Sequence, residues 1–100
     1  MAVYVDDMEA PYGRMIMCHM AADTTAELLE MADRIGVDRR WIQKRGTIYE
    51  HFDISKGKKQ LALEAGAILL SRRDFVRWML KKRRGEAPRR TSPRKRSRLP

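Results

Sequence analysis

From Gly85 onward the chain reads GEAPRRTSPRKRSRLP, with three prolines, no aromatic residue and almost nothing apolar. Such a segment cannot bury enough apolar surface to offset the entropy of ordering it. The sequence therefore predicts a disordered tail over residues 85–100 and confines the fold to residues 1–84. A single domain of that size has a real core with little to spare. Charge divides at nearly the same place. Residues 81–100 carry ten Lys or Arg and one acid, Glu86, which accounts for the whole formal net charge of +9. Residues 1–80 hold twelve of each sign and sum to zero. The body is neutral and the tail is strongly basic.

One cysteine, Cys18, excludes an intrachain disulfide and points to a reducing compartment. The N-terminus carries Asp6 and Asp7 where a secretory signal needs a basic start and a long apolar run. The longest apolar stretch, residues 61–70, is too short to span a bilayer and contains Glu64. These features lead to the expectation of a cytoplasmic chain with no membrane partner.

Residues 2–5 (AVYV) are rich in β-formers and stop at the two aspartates, which reads as a first strand. Pro11-Tyr12-Gly13 signals a turn, and residues 14–20 (RMIMCHM) form a second apolar run of strand length. Thr24 followed by Glu27 is a capping box, and Leu28, Leu29, Met31, Ala32 and Ile35 then share one helical face up to Gly36. Residues 48–54 (IYEHFDI) alternate as a strand, Ser55 caps a helix over 56–65, and residues 67–70 (AILL) form a short apolar strand. Ser71 and Asp74 outline a further helix start, with Phe75, Val76, Met79 and Leu80 as its stripe. The order β, β, α, β, α, β, α predicts an α/β domain: a small mixed sheet of about four strands covered by about three helices. Met8, Met15, Met17, Met20 and Met31 read as core filler.

In open α/β sheets, ligands bind beyond the carboxyl ends of the strands. That rule selects Asp6 and Asp7 after the first strand, His19 near the end of the second, and His51, Asp53 and Ser55 at the end of the third. His51 and Asp53 are two apart and leave the same strand face. Such a pair can orient an imidazole for proton transfer, supply two metal ligands, or simply hydrogen-bond loop backbone. His19 is a further acid/base candidate or a satisfied core histidine, and Cys18, on the opposite side of its strand, is expected to pack. Asp6 and Asp7 are candidate Mg²⁺ ligands, or the start of a turn.

Ser55 and Lys58 open a helix whose free N–H groups and lysines suit a phosphate, although the glycine spacing is not that of a Walker loop. The alternative is a solvated face. Arg40 and Trp41 lie in a basic stretch that can hold a phosphate and stack a base, or else Trp41 plugs the core.

The runs MAVYVDDM, PYGRM and MCHM, then ELLEMADRIGV, RRWIQ and HFDIS, together resemble the bacterial and phage family known as domain of unknown function 4031, over about residues 1–70. The family brings no established activity. The resemblance implies characteristic polar positions at Asp6, Asp7, Tyr12, Gly13, Arg14, His19, Asp23, Arg40, Trp41, Gln43, His51, Asp53 and Lys58, which overlap the strand-end set.

Two functional classes follow. One is an enzyme acting on a phosphoester, nucleotide or nucleic acid, with His19, His51 and Asp53 as its chemical centre and Arg14, Arg40, Trp41, Ser55 and Lys58 holding the ligand. The other is a non-enzymatic accessory protein that binds nucleic acid or another protein. In either, Arg89, Arg90, Arg94, Lys95, Arg96 and Arg98 of the tail supply salt-sensitive attraction for phosphates.

Overall fold

In the computed structural model, which describes residues 2–86 (without the side chains of 83–86), a five-stranded mixed sheet carries three α-helices. The strands are β1 (Val3–Asp6), β2 (Ala10–Tyr12), β3 (Met15–Ala22), β4 (Phe52–Ser55) and β5 (Ile68–Leu70). The helices are α1 (Thr25–Ile35), α2 (Lys56–Glu64) and α3 (Arg72–Glu86), and a single 3₁₀ turn covers Arg39–Trp41. The described part of α3 runs past residue 84, where the sequence sets the edge of the tail. The six tail cations from Arg89 to Arg98 lie outside the described residues. No helix of the described residues is long and apolar enough to cross a membrane.

The helices start and stop where local chemistry says they should. Thr24 accepts the Glu27 N–H at 3.2 Å, the N-cap half of a capping box, while the Glu27 carboxylate accepts the Thr24 hydroxyl at 2.9 Å. Gly36 closes α1 in the left-handed region, φ 82°. Ser55 accepts the Lys58 N–H at 3.2 Å to start α2, and Ser71 accepts the Asp74 N–H at 3.1 Å to start α3.

β3 is the axis of the sheet, antiparallel to each of its neighbours. Met20 pairs with both Val5 and Phe52, and Met17 with both Ala10 and Ser55. So β1 and β2 lie end to end along one edge of β3, and β4 lies along the other. β5 adds outside β1 in parallel. Two expectations are corrected here. Residues 10–12 are a fifth strand, because Met15–Met17 offers a ladder that outweighs the turn chemistry of Pro11 and Gly13. The third predicted strand begins at Phe52, not residue 48, because residues 44–50 make two turns, with Thr47 N–H and hydroxyl on the Lys44 carbonyl at 3.2 and 2.7 Å and the Glu50 N–H on the Thr47 carbonyl at 3.2 Å.

Alternation then divides the side chains. Val5, Cys18, Met20, Phe52 and Ile54 point to one face, where Leu28, Ala32 and Ile35 of α1 and Ala62 of α2 complete a buried core. Tyr4 and Ala21 point to the other face, beneath Phe75, Met79 and Trp78 of α3. Phe52, Phe75, Met20 and Leu28 are fully buried, each stabilising the fold by about 1.5–3 kcal/mol through transfer from water. The methionines split: Met20 and Met31 are core, while Met15 is 48 % exposed and, with Met8 and Met17, lines an open cleft. His19 and Asp53 alternate onto the α3 face, at the first turn of that helix, where its cover ends.

Candidate functional site

One register step beyond the Val5–Met20 pair brings Asp6 opposite His19. There the chain leaves the ladder, so the backbone N–H of His19 has no strand carbonyl to meet. The Asp6 carboxylate replaces it. Its Oδ1 accepts the His19 N–H at 3.0 Å and the Met8 N–H at 3.3 Å, and its Oδ2 accepts His19 Nδ1 at 2.8 Å. The Arg72 guanidinium approaches the same Oδ2 at 3.3 Å. Asp6 is wholly buried, which by itself pushes its pKa up. The hydrogen bonds from the His19 ring, the His19 backbone and Met8 more than offset this and hold it below the ordinary carboxylate value.

On its other edge, His19 pairs in register with Asp53 of β4. His19 Nε2 lies 3.6 Å from Asp53 Oδ1, and His51 Nε2 lies 3.4 Å from that same oxygen. The imidazoles meet edge to face with centroids 5.3 Å apart. His51 Nδ1 donates to the Tyr49 carbonyl at 2.8 Å, and Gln43 Nε2 donates to Asp53 Oδ2, also at 2.8 Å. An isolated bridge between Gln43 and His51 sets both residues beside β4. Glu50, buried, accepts the Thr25 hydroxyl at 2.7 Å and the Gly46 N–H at 3.0 Å, anchoring the loop that delivers His51. One ligand atom from each of His19, His51 and Asp53 falls within 4.8 Å of the others, so among the described residues these three form a group that could hold a metal ion.

His19, Asp53 and Gln43 also line a cleft of about 930 Å³. Its other walls include the β2–β3 hairpin, Cys18 and Ile54 of the sheet, residues 36–38 after α1 with the Asp38 carboxylate, Trp41, and the α2 start at Ser55 and Lys58. Trp41 is 61 % exposed with the Arg40 guanidinium 5.0 Å over its ring, so it does not plug the core. The Lys58 ammonium is already in use, donating to the Ile35 carbonyl at the end of α1 at 2.9 Å.

The sequence expectations sort accordingly. His19, His51 and Asp53 come together, although not as three strand ends: His19 sits inside β3, level with the carboxyl end of β1. Asp6 and Asp7 do not converge as Mg²⁺ ligands. Asp6 stands behind His19, and Asp7 Oδ1 accepts the Arg72 N–H at 2.8 Å at the start of α3. Trp41, Ser55 and Lys58 share the cleft, while Arg14 lies exposed after the β2–β3 turn glycine and Arg40, ion-paired with Asp38 at 3.4 Å, stays outside its lining. Cys18 is core, its thiol pushed up to about 11 by burial. Glu50, Arg72 and the Tyr49 carbonyl have no sequence signal. Gln43 has only the family resemblance to mark it.

Comparison with curated proteins and with solved structures finds no match. A family model described as a protein of unknown function, DUF4031, matches residues 3–82, from β1 well into α3, and so takes in Asp6, Gln43 and the whole His19–His51–Asp53 cluster. The chain belongs to the DUF4031 family.

Proposed function

We propose that the domain binds a phosphate-bearing ligand with a flat ring, a nucleotide or the end of a nucleic-acid strand, and acts on its phosphoester at the His19–His51–Asp53 cluster. The observation that carries this reading is one cleft whose lining includes three chemistries: an exposed indole at Trp41, the N-terminal turn of α2 at Ser55 and Lys58, and the imidazole of His19 next to the Asp53 carboxylate. An aromatic plate stacks a base, a helix start favours an anion, and imidazole with carboxylate moves protons or carries a cation. Lys58 keeps one N–H on Ile35 and has two more to offer. The basic residues from Arg89 to Arg98 add attraction for a polyanion that weakens with salt.

The test is titration of the full chain with adenosine monophosphate and with inorganic phosphate, in chelator, followed by melting temperature. The nucleotide should raise the melting temperature by mass action and phosphate should do so less. Trp41→Ala should weaken the nucleotide about tenfold or more, as loss of a stacked base does, while leaving the phosphate response unchanged. No shift with either compound at millimolar concentration sinks the reading.

A further inference from the structure

We propose that His19, His51 and Asp53 form a binding site for a divalent transition-metal ion such as Zn²⁺. The hydrogen bonds decide where the ring protons are. His19 Nδ1 faces a carboxylate and His51 Nδ1 faces a backbone carbonyl, both of which only accept. Each neutral ring therefore carries its proton on Nδ1 and turns a bare Nε2 lone pair inward. Both Nε2 atoms lie near Asp53 Oδ1, itself an acceptor, at 3.6 and 3.4 Å. With both rings neutral, three acceptors converge with no donor among them, and a metal cation between them resolves that arrangement as a ring proton otherwise would.

The spacing fits. A tetrahedral ion with metal–ligand bonds of about 2.0–2.1 Å sets its ligands about 3.3 Å apart. The two distances to Asp53 found here are close to that, while the two histidine nitrogens lie within 4.8 Å of each other and share the ion once they are within about 4 Å, twice that bond length. Each ligand is also oriented from behind: His19 by Asp6, His51 by the Tyr49 carbonyl and Asp53 by Gln43. Metal-binding imidazoles characteristically have such outer partners, which fix the tautomer and raise basicity. Two nitrogens and one oxygen favour a borderline transition ion over Mg²⁺ or Ca²⁺, which prefer oxygen. Three protein ligands leave a fourth position, and His19 and Asp53 give it onto the cleft.

The inference deepens the proposed function at the same cluster, but it rests on that reading only for what fills the fourth position. Metal uptake is therefore measured with no nucleotide present. The full chain, untagged and stripped by chelator, is titrated with Zn²⁺ by calorimetry and with Co²⁺ by visible absorption. The expected result is a single equivalent bound, with the strong absorption of tetrahedral Co²⁺. The chain has two histidines, so nitrogen NMR can assign both rings; on Zn²⁺ addition their Nε2 signals should move while both Nδ1 keep their protons.

Asp53→Asn and His51→Ala should each weaken Zn²⁺ about 100-fold, and Asp6→Asn, a positioning change, about 10–100-fold. Asp53 is exposed, so Asp53→Asn should melt as the natural chain does without metal, separating lost binding from lost folding. Absence of Zn²⁺ uptake up to about 1 mM, or equal uptake by the Asp53→Asn, His51→Ala double variant (an adventitious ion only), overturns the proposal. Metal uptake without any nucleotide response would leave this site standing and remove the proposed ligand.

Discussion

Both carboxylate oxygens of Asp6 are committed to His19, one to its backbone N–H at 3.0 Å and one to Nδ1 at 2.8 Å. A single buried side chain thus repairs a gap in the sheet and fixes the tautomer and direction of the imidazole. Asn in its place can accept on one atom only and presents an N–H₂ where His19 needs an acceptor.

Asp6→Asn should lower stability at neutral pH by about 1.5–3 kcal/mol, the range for hydrogen bonds to a charged group. Its folded pKa is depressed, so its contribution is fully present above the unfolded carboxyl value of about 3.9 and disappears as pH falls through the folded value. The stability gap between the natural chain and the variant should therefore close in acid. Urea melts of both proteins at pH 7 and in the acid range measure it, and a pH-independent gap would refute the assignment.

Lys58 is a structural cation whatever the cleft binds, because its ammonium closes the carbonyl end of α1 through Ile35. Lys58→Ala should cost about 1–2 kcal/mol by leaving that carbonyl short of a donor and removing a favourable charge at a helix C-terminus. Thermal melts without ligand are enough to check this. Unchanged stability would show that the ammonium does not hold α1 in solution.

Cys18 is 3 % exposed and its thiol is pushed up to about 11. Near pH 8 very little thiolate is present, and the sulfur is almost wholly covered in the folded chain. Labelling with a thiol-reactive disulfide should therefore be slow in buffer and rise steeply across the urea transition, tracking opening of the sheet. Complete labelling within the mixing time under native conditions would contradict the burial.

The two tryptophans should be separable by quenching. Trp41 is 61 % exposed, whereas Trp78 stacks on Tyr4 at 4.4 Å and donates its indole N–H to Asp23 at 3.2 Å. Trp41→Phe should leave a protected, blue-shifted emission, and its stability should stay within about 0.5 kcal/mol of the natural chain. Trp78→Phe should leave an emission that acrylamide quenches freely. Equal accessibility of the two indoles would mean that α3 does not cover Tyr4.

The parts of this fold that were legible in the sequence are those with local causes. Thr24 with Glu27, Gly36, Ser55 and Ser71 each satisfy or terminate backbone within a few residues, and each marks a helix end in the structure. β2 was not legible, because Ala10-Pro11-Tyr12 has turn chemistry and becomes a strand only through Met15–Met17. The same holds for methionines: alternation sets Met15 and Met17 on the strand face opposite Met20, but that α3 leaves them uncovered there shows only in the structure.

The site divides in the same way. His51 and Asp53 were readable as a same-face pair from their spacing. His19 was reached by assuming that its strand ends there, whereas it is the antiparallel direction of β3 that sets it between Asp6 and Asp53. The outer partners, Gln43, Glu50 and the Tyr49 carbonyl, depend on how a loop folds back on β4, and no residue type announces that.

Along the β1–β2 edge, four residues separate Val5 from Ala10, while only two separate their β3 partners Met20 and Met17. The surplus of two keeps the hairpin from zipping into one continuous ribbon. A chain shortened by two residues in this detour has a route to a more regular β-structure, with the His19 N–H on a backbone carbonyl in place of a carboxylate. Such a deletion would trade the Asp6–His19 contacts for regularity: a better-formed hairpin whose histidine is free to swivel.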